Sequence, residues 1–209
     1  MFFLTCHFYC SPLLLKTFVN GCSISPLIFN LYINPMNFEE SKQLAEEGTA
    51  EAQYNLALMY SLGRETPKDD QAAIKWYRLA AEQGFAEAQT NLGLMYGKGQ
   101  GVEQNFSEAV KWYRLAAEQG LAQAQHNLGV MYGRGQGVAK DFLEAVWWFK
   151  QAAEQEYGQA QYNLGLMCSR GEGVPQDDKE AVKWYRLSAE NRISGAQSNL
   201  GLMYEKGMG

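Results

Sequence analysis

AQTNLGLMY, at residues 88–96, is one of five versions of the same phrase in this chain. The others are AQYNLALMY at 52–60, AQHNLGVMY at 124–132, AQYNLGLMC at 160–168 and AQSNLGLMY at 196–204, each starting 36 residues after the one before. A second phrase keeps the same period, as AAIKWYRLAAEQG from residue 72, EAVKWYRLAAEQG from 108, EAVWWFKQAAEQE from 144 and EAVKWYRLSAENR from 180. A fixed period of this length predicts a repeat architecture.

Both phrases have the periodicity of a helix with one apolar face. In the first phrase, Ala88, Leu92 and Met95 are spaced i, i+4, i+7, which places them on one stripe. In the second, the apolar stripe consists of Ala109, Trp112, Tyr113, Ala116 and Ala117. The sequence therefore predicts a helix A from the first phrase and a helix B from the second.

Glycines separate the helices. The segments GKGQGV at 97–102, GRGQGV at 133–138 and SRGEGV at 169–174 are too rich in glycine to continue a helix. Gly84 and Gly120 follow helix B directly, as the left-handed residue of a C-terminal cap does. Each unit is therefore helix A, glycine loop, helix B and a tight turn.

One such hairpin cannot bury both of its apolar stripes, whereas stacked hairpins cover one another. The small residues of helix A predict a close approach between helices, and the large aromatic residues of helix B fill the remaining space. The small residues are Ala57, Gly93, Gly129, Gly165 and Gly201. The predicted fold is all-α, an α/α solenoid of tandem 36-residue helix-turn-helix repeats.

The same residues carry a family resemblance. Asn-Leu-Gly-x-Met-Tyr at 91–96 resembles the Leu-Gly-x-x-Tyr element of tetratricopeptide repeats, and Ala109-x-x-x-Tyr113 resembles their Ala-x-x-x-aromatic element. The longer period and the Gly-x-Gly-x-Gly-Val loop are more similar to the SEL-one-like repeat (SLR) family, over roughly residues 37–209. The resemblance implies a right-handed superhelix whose concave surface is lined mainly by A helices. It also implies an adaptor or scaffold that binds a protein or peptide partner.

The two ends depart from the pattern. Residues 1–35 are apolar, with Lys16 and His7 as the only ionisable side chains besides cysteine and tyrosine. They are interpreted either as a signal-like or anchor-like segment or, in the favoured reading, as a mis-assigned start before Met36. The protein is then expected to be cytoplasmic if Met36 is the true start, and envelope-associated or exported, with membrane contact, if residues 1–35 are genuine.

The remaining chain divides into a partial helix at 36–48 and the repeats at 49–209. The repeats comprise four full units and a fifth A helix that lacks a B helix. Because solenoids normally end in a polar capping element, this bare edge is interpreted either as a truncated gene or as a surface that pairs with another molecule, such as a second copy of the chain.

Composition and motifs argue against several other functions. The formal charge of −5 leaves no expected basic stripe for nucleic acid. Gly97-x-Gly99-x-Gly101 follows a helix rather than a strand and lacks a Gly-Lys-Ser/Thr ending, so it is interpreted as structural rather than phosphate-binding. His126 has no second metal ligand at helical spacing. The sequence predicts no cofactor, no metal and no catalytic residue.

A weak hydrolase is the alternative that the resemblance raises. Cysteine-rich secreted members of the family have been credited with weak β-lactam hydrolysis, and they carry a cysteine pair in each repeat. The repeats of this chain contain only Cys168, in the column of Tyr96 and Tyr132. This departure disfavours the enzymatic alternative.

Partner specificity is expected in columns that vary between fixed neighbours. The variable column, predicted from helical phase to point outward, is Tyr54, Thr90, His126, Tyr162 and Ser198. The first-turn column is Glu51, Glu87, Gln123, Gln159 and Gly195. Trp147 stands in a column otherwise occupied by lysine, so an exposed aromatic contact is predicted there, with an incidental surface residue as the alternative.

The fixed asparagine column has two interpretations. Its amides either bind a peptide backbone or, in the favoured reading, hydrogen-bond the main chain of the adjacent repeat. The column consists of Asn55, Asn91, Asn127, Asn163 and Asn199.

Overall fold

The computed structural model describes residues 37–208, which form ten α-helices and no strand. A helices and B helices alternate, and each helix packs against its neighbours in sequence. The A helices are α2 (Ala50–Leu62), α4 (Ala86–Lys98), α6 (Ala122–Arg134), α8 (Gly158–Arg170) and α10 (Ser194–Glu205). The B helices are α1 (Phe38–Glu46), α3 (Asp70–Glu82), α5 (Phe106–Glu118), α7 (Phe142–Ala153) and α9 (Asp178–Glu190). The predicted all-α repeat solenoid is confirmed.

Side-chain caps determine where the B helices begin. The carboxylate of Asp141 accepts hydrogen bonds from the backbone N–H groups of Leu143 and Glu144. Equivalent caps precede the other B helices of the repeats, at Asp69, Asn105 and Asp177. These bonds satisfy donors that a helix start leaves unpaired. The glycine loop between A and B is closed in each repeat by a backbone bond such as Asp141 N–H to the Tyr132 carbonyl, 3.0 Å.

The small residues of the A helices permit the predicted close approach in the second, third and fourth repeats. At Gly201 the prediction was wrong, because a Cβ there would meet no atom within 4 Å. A Cβ added at Gly129 would lie 2.8 Å from the ring of Phe149, and one at Gly165 would lie 2.6 Å from the ring of Tyr185. Both distances are too short for a side chain without displacement of the B helix. The alanines of both helix types are buried around these contacts, which makes the core continuous from one repeat to the next.

Glutamine, and not asparagine, hydrogen-bonds the main chain of the adjacent repeat. The Gln89 amide donates to the Ala81 carbonyl of the preceding B helix at 3.0 Å, and Gln119 donates to Gln89 Oε1 at 2.8 Å. The same pattern recurs from repeat to repeat through Gln53, Gln125, Gln161 and Gln197. Within residues 37–208, no asparagine of the asparagine column makes such a bond. The favoured reading of that column was therefore wrong, because the buried position two residues earlier already supplies the link between repeats.

The structure tests few of the predictions made for the two ends of the chain. The apolar stretch at 1–35, and every prediction made for it, lies outside the described residues. In the described part, no helix is long and apolar enough to cross a membrane. Leu202 and Tyr204 of α10 are 52% and 48% exposed. Self-association through this edge stays a prediction.

Candidate partner-binding groove

Successive A helices enclose cavities that are lined by equivalent positions. The cavities between α4 and α6 and between α6 and α8 have volumes of about 320 Å³ each, and the one between α8 and α10 is about 340 Å³. Each is lined by an asparagine of the later A helix, by apolar side chains of both A helices and by the aromatic residue of the intervening B helix. The asparagines are Asn127, Asn163 and Asn199, the apolar residues Leu94, Val130, Leu166 and Leu202, and the aromatics Tyr113, Phe149 and Tyr185. We call this set of cavities the A-helix groove.

Cations lie between neighbouring cavities of the groove. Arg134 lines the first two cavities and Arg170 the last two, while Lys98 and Lys206 line the outer ones. We call these four residues the basic column. All four are exposed, and Arg170 alone has an ion-pair partner in the described chain, Glu172 at 4.0 Å. Sequence reasoning missed this column, although a cation before the loop glycine in four copies of an acidic chain was a usable signal.

The variable column lies at the joint between one repeat and the next. Tyr54 is half-buried, with its ring 5.8 Å from Tyr77 and 5.0 Å from Phe85. Tyr162 packs against Tyr185 at 6.0 Å. The contacts with Tyr77 and Tyr185 link an A helix to the B helix that follows it, and the contact with Phe85 reaches the start of the next A helix.

For Thr90 the expected outward direction was wrong. Its side chain is 1% exposed, and its hydroxyl donates to the Ala86 carbonyl at 2.9 Å. The helical-phase argument assumed one buried face, whereas an A helix inside a solenoid is covered by neighbours on more than one side. Ser198, in the last copy, is exposed.

His126 is the variable-column residue that lines a cavity together with Tyr162. Its Nε2 lies 3.0 Å from Asn163 Nδ2, and its Nδ1 lies 3.4 Å from Asn127 Oδ1. An amide N–H can only donate, so Nε2 accepts and the proton is on Nδ1. Burial is the main reason that the pKa of His126 is lowered to about 4; the bond to Asn127 acts in the opposite direction, and the nearby positive charge of Arg134 adds a smaller lowering. The imidazole is therefore neutral at pH 7.

The other candidates lie at the surface. Glu51, Glu87, Gln123 and Gln159 are exposed, and Gln159 also lines the cavity between α6 and α8. Gly195 is half-buried, and a Cβ there would lie 3.0 Å from the ring of Tyr162. Trp147 is 51% exposed and lies on α7, edge-on to Trp148 with ring centroids 4.4 Å apart. Trp147 is exposed as expected, but it belongs to the B helices and lies apart from the groove.

Cys168 has none of the features of an activated nucleophile. It is 6% exposed, and burial, together with the charges of Glu180 and Asp177, raises the pKa of its thiol. Reactive cysteines have lowered pKa values. In the described residues, no group of three or more histidine, cysteine or acidic side chains could hold a metal ion.

The family model of the Sel1 repeat matches residues 50–85, 86–121, 122–157, 158–192 and 194–209. This chain belongs to the Sel1 repeat family. The Sel1 repeat solenoid is in general a non-catalytic fold that serves protein–protein interaction. The fixed glycines, alanines and B-helix aromatics described above are thus the framework of the Sel1 repeat.

Two solved Sel1 repeat structures are similar over most of the chain. One is c5321, a protective antigen present in uropathogenic Escherichia coli strains, with 46% identity, a TM-score of 0.80 and coverage of 82% of this chain and 37% of that one. The other is a Sel1 repeat protein from Oxalobacter formigenes, with 38% identity, a TM-score of 0.72 and coverage of 80% and 71%. The chain thus spans little more than a third of the length of the first. A search of curated protein sequences gave no match.

Proposed function

We propose that this protein is an adaptor that binds a protein partner along the A-helix groove, the surface that the family resemblance predicts to be concave. The observation that supports this most directly is the repetition of three cavities of nearly equal volume at equivalent positions. A row of equivalent cavities suits a ligand that is itself a chain of similar units. Polar amides beside apolar side chains are the combination that a peptide requires.

The asparagine column is the proposed backbone contact. Asn199 has no hydrogen-bond partner in residues 37–208, and Asn127 and Asn163 make bonds only with the ring of His126. Each amide keeps donor or acceptor capacity toward the cavity that it lines. His126, Tyr162, Gln123, Gln159, Glu87 and Ser198 are the proposed sources of specificity around these amides, with Tyr54 at the first joint. Thr90 is excluded from this role by its burial.

Affinity capture with the full-length protein as bait tests the proposal. The variant Asn127→Ala/Asn163→Ala removes two groove amides, and Lys75→Ala/Lys183→Ala is the matched control on B helices. We expect the groove variant to lose partners that the control retains, at unchanged helicity by circular dichroism. Retention of every partner by the groove variant would contradict the proposal.

A weak hydrolase remains the alternative class. It would require a nucleophile, and the raised thiol pKa of Cys168 argues against one. Turnover of a β-lactam that depends on Cys168 or His126 would favour the enzyme over the adaptor.

A further inference from the structure

We infer that the partner segment is an extended acidic peptide, whose carboxylates pair with the basic column and whose best-defined subsite is the cavity between α4 and α6. This inference rests on the proposed function and specifies the chemistry of its ligand. It is carried by three observations. The cations of the basic column lie in register, and Arg170 alone among them is ion-paired. One cavity has a tyrosine hydroxyl without a hydrogen-bond partner in the described residues, and no carboxylate lines that cavity.

The cavity between α4 and α6 contains two cations and no lining carboxylate. Lys98 and Arg134 line it from opposite A helices, and neither has an ion-pair partner in residues 37–208. The whole protein has a formal charge of −5, so acidic residues outnumber basic ones. A cavity lined by two cations and no carboxylate therefore differs from the average charge of the chain. An acidic side chain placed between them would gain from both charges.

Tyr113 adds a hydrogen-bond donor to the same cavity. Its side chain is 4% exposed, and its hydroxyl has no hydrogen-bond partner in the described chain. The equivalent Tyr77 and Tyr185 hydroxyls lie 3.3 Å from Ser61 Oγ and 3.4 Å from Ser169 Oγ. Gly97 takes the place of that serine beside Tyr113, which leaves the hydroxyl directed at the cavity that it lines. A carboxylate oxygen of a ligand in the cavity would give this hydroxyl an acceptor.

The Asn127 amide completes the subsite. It lines the same cavity and can donate to a carboxylate or to a peptide carbonyl. The cavity is thus lined by ammonium, guanidinium, phenol and amide groups, and each of these groups can donate a hydrogen bond to an anion.

The spacing of the basic column favours an extended chain. With the usual spacing of packed helices, about 10 Å, taken as the distance between successive cations, an extended peptide that advances about 3.3 Å per residue would meet one cation at about every third residue. The apolar residues between the cations, Leu94, Val130 and Leu166, suit aliphatic side chains at the intervening positions. A polyanion of uniform charge fits less well, because Glu172 lines the second cavity and Asp178 the third.

A basic residue at the end of a helix also has a local role, since Lys98, Arg134 and Arg170 occupy the last turns of their helices and Lys206 follows α10 directly. That role affects stability and not ligand affinity. Tyr113 separates the two roles, because its hydroxyl is uncharged and the variant Tyr113→Phe leaves the charges at the helix ends unchanged. Phe149 occupies the equivalent position of the next repeat, so the variant Tyr113→Phe is compatible with the fold.

The test is fluorescence anisotropy of full-length protein with a labelled peptide of about 12 residues that has glutamate at every third position and leucine and alanine between. The comparison ligands are the same peptide with glutamine for glutamate, an isomer with its glutamates clustered at one end, and single-stranded oligothymidine of similar length. We expect the spaced acidic peptide to bind about tenfold more tightly than the glutamine peptide, with the clustered isomer between them, and its affinity to fall as salt is raised.

The variants locate the site. Tyr113→Phe should lower the affinity for the spaced acidic peptide about tenfold, and its matched control Tyr77→Phe should leave the affinity unchanged. Arg134→Gln/Arg170→Gln should also weaken it about tenfold, whereas Lys75→Gln/Lys111→Gln, which makes the same change in net charge, should leave it within about twofold. Arg134→Lys/Arg170→Lys should restore part of the loss. Equal binding of the glutamic and glutamine peptides, equal binding of oligothymidine, or no effect of Tyr113→Phe would overturn the inference.

The two proposals fail separately. If acidic peptides do not bind but Asn127→Ala/Asn163→Ala still abolishes partner capture, the adaptor function stands and the acidic ligand is wrong. If neither experiment gives its expected result, both proposals fail.

Discussion

The second and third repeats, residues 86–121 and 122–157, have the same helices and the same core but offer different chemistry to a partner. In the second repeat the groove aromatic is Tyr113 with an unpaired hydroxyl, and in the third it is Phe149. His126 of the third repeat replaces the buried Thr90 of the second, and the exposed Trp147 replaces Lys111. The comparison teaches that the framework tolerates marked changes at positions that face a cavity or solvent.

Some of these changes are paired across the joint to the next repeat. Arg114 of the second repeat donates to the hydroxyl of Tyr132 at 2.6 Å, as Arg186 does to Tyr204 at 2.7 Å. At the two equivalent positions the third repeat has Lys150 and the fourth repeat has Cys168, so donor and acceptor differ together. If only one of the two residues differed, the remaining arginine or tyrosine would lack its hydrogen-bond partner.

The largest expected effect is on the framework tryptophans. Trp148 is buried at 8% exposure and Trp112 is half-buried. Trp148→Ala should lower the free energy of unfolding by about 3–5 kcal/mol, and Trp112→Ala should cost less, because less apolar surface is lost. Urea denaturation at equal protein concentration measures both. Equal losses would show that the two repeats bury their tryptophans alike.

A smaller effect is expected from His126. Its pKa is about 4 in the folded protein and near 6.5 when unfolded, so the unfolded chain binds the proton first as pH falls. The contribution of His126 to the free energy of unfolding is fully present above pH 6.5 and is lost as the pH falls from about 6.5 to about 4. The total loss is about 2 kcal/mol after allowance for partial exposure.

The variant His126→Thr, which copies the second repeat, is the control for that pH dependence. Urea midpoints at pH 7.5 and pH 5 should differ less for this variant than for the natural protein. An unchanged difference would assign the acid sensitivity to other groups.

The smallest expected effect on stability comes from Trp147→Lys, which restores the residue of the other three B helices. Half of the Trp147 surface is already exposed, so the free energy of unfolding should change by less than about 0.5 kcal/mol. Affinity capture is the informative measurement. A partner that this variant loses, and that Asn127→Ala/Asn163→Ala keeps, would identify a second contact surface on the B helices. If the variant keeps every partner, Trp147 is an incidental surface residue.

The repeat period and the helix types could be predicted from the sequence, because phrases 36 residues apart leave one reading of the fold. Gly129 and Gly165 were correctly assigned to close helix contacts on the same grounds. The direction of Thr90 could not be obtained from a single helical wheel, since burial on the second side depends on the neighbouring repeat. The fixed asparagine was assigned the link to the adjacent repeat that the fixed glutamine makes, for a similar reason. Both are invariant amides, and only the packing shows which one is buried.

The glutamine links have a mechanical consequence. In the first four A helices, the glutamine is bonded both to the B helix before it and to the residue that ends the B helix after it, as Gln89 is through Ala81 and Gln119. Gln197 of α10 bonds only to the B helix before it. A force applied to the two ends of the solenoid would act on these hydrogen bonds one after another along the chain. Unfolding of one repeat would break the bond that it shares with the next repeat. Detachment should thus advance from the ends inward, one repeat at a time. The resistance of the central repeats to extension would then depend on the side-chain amides as well as on the helices.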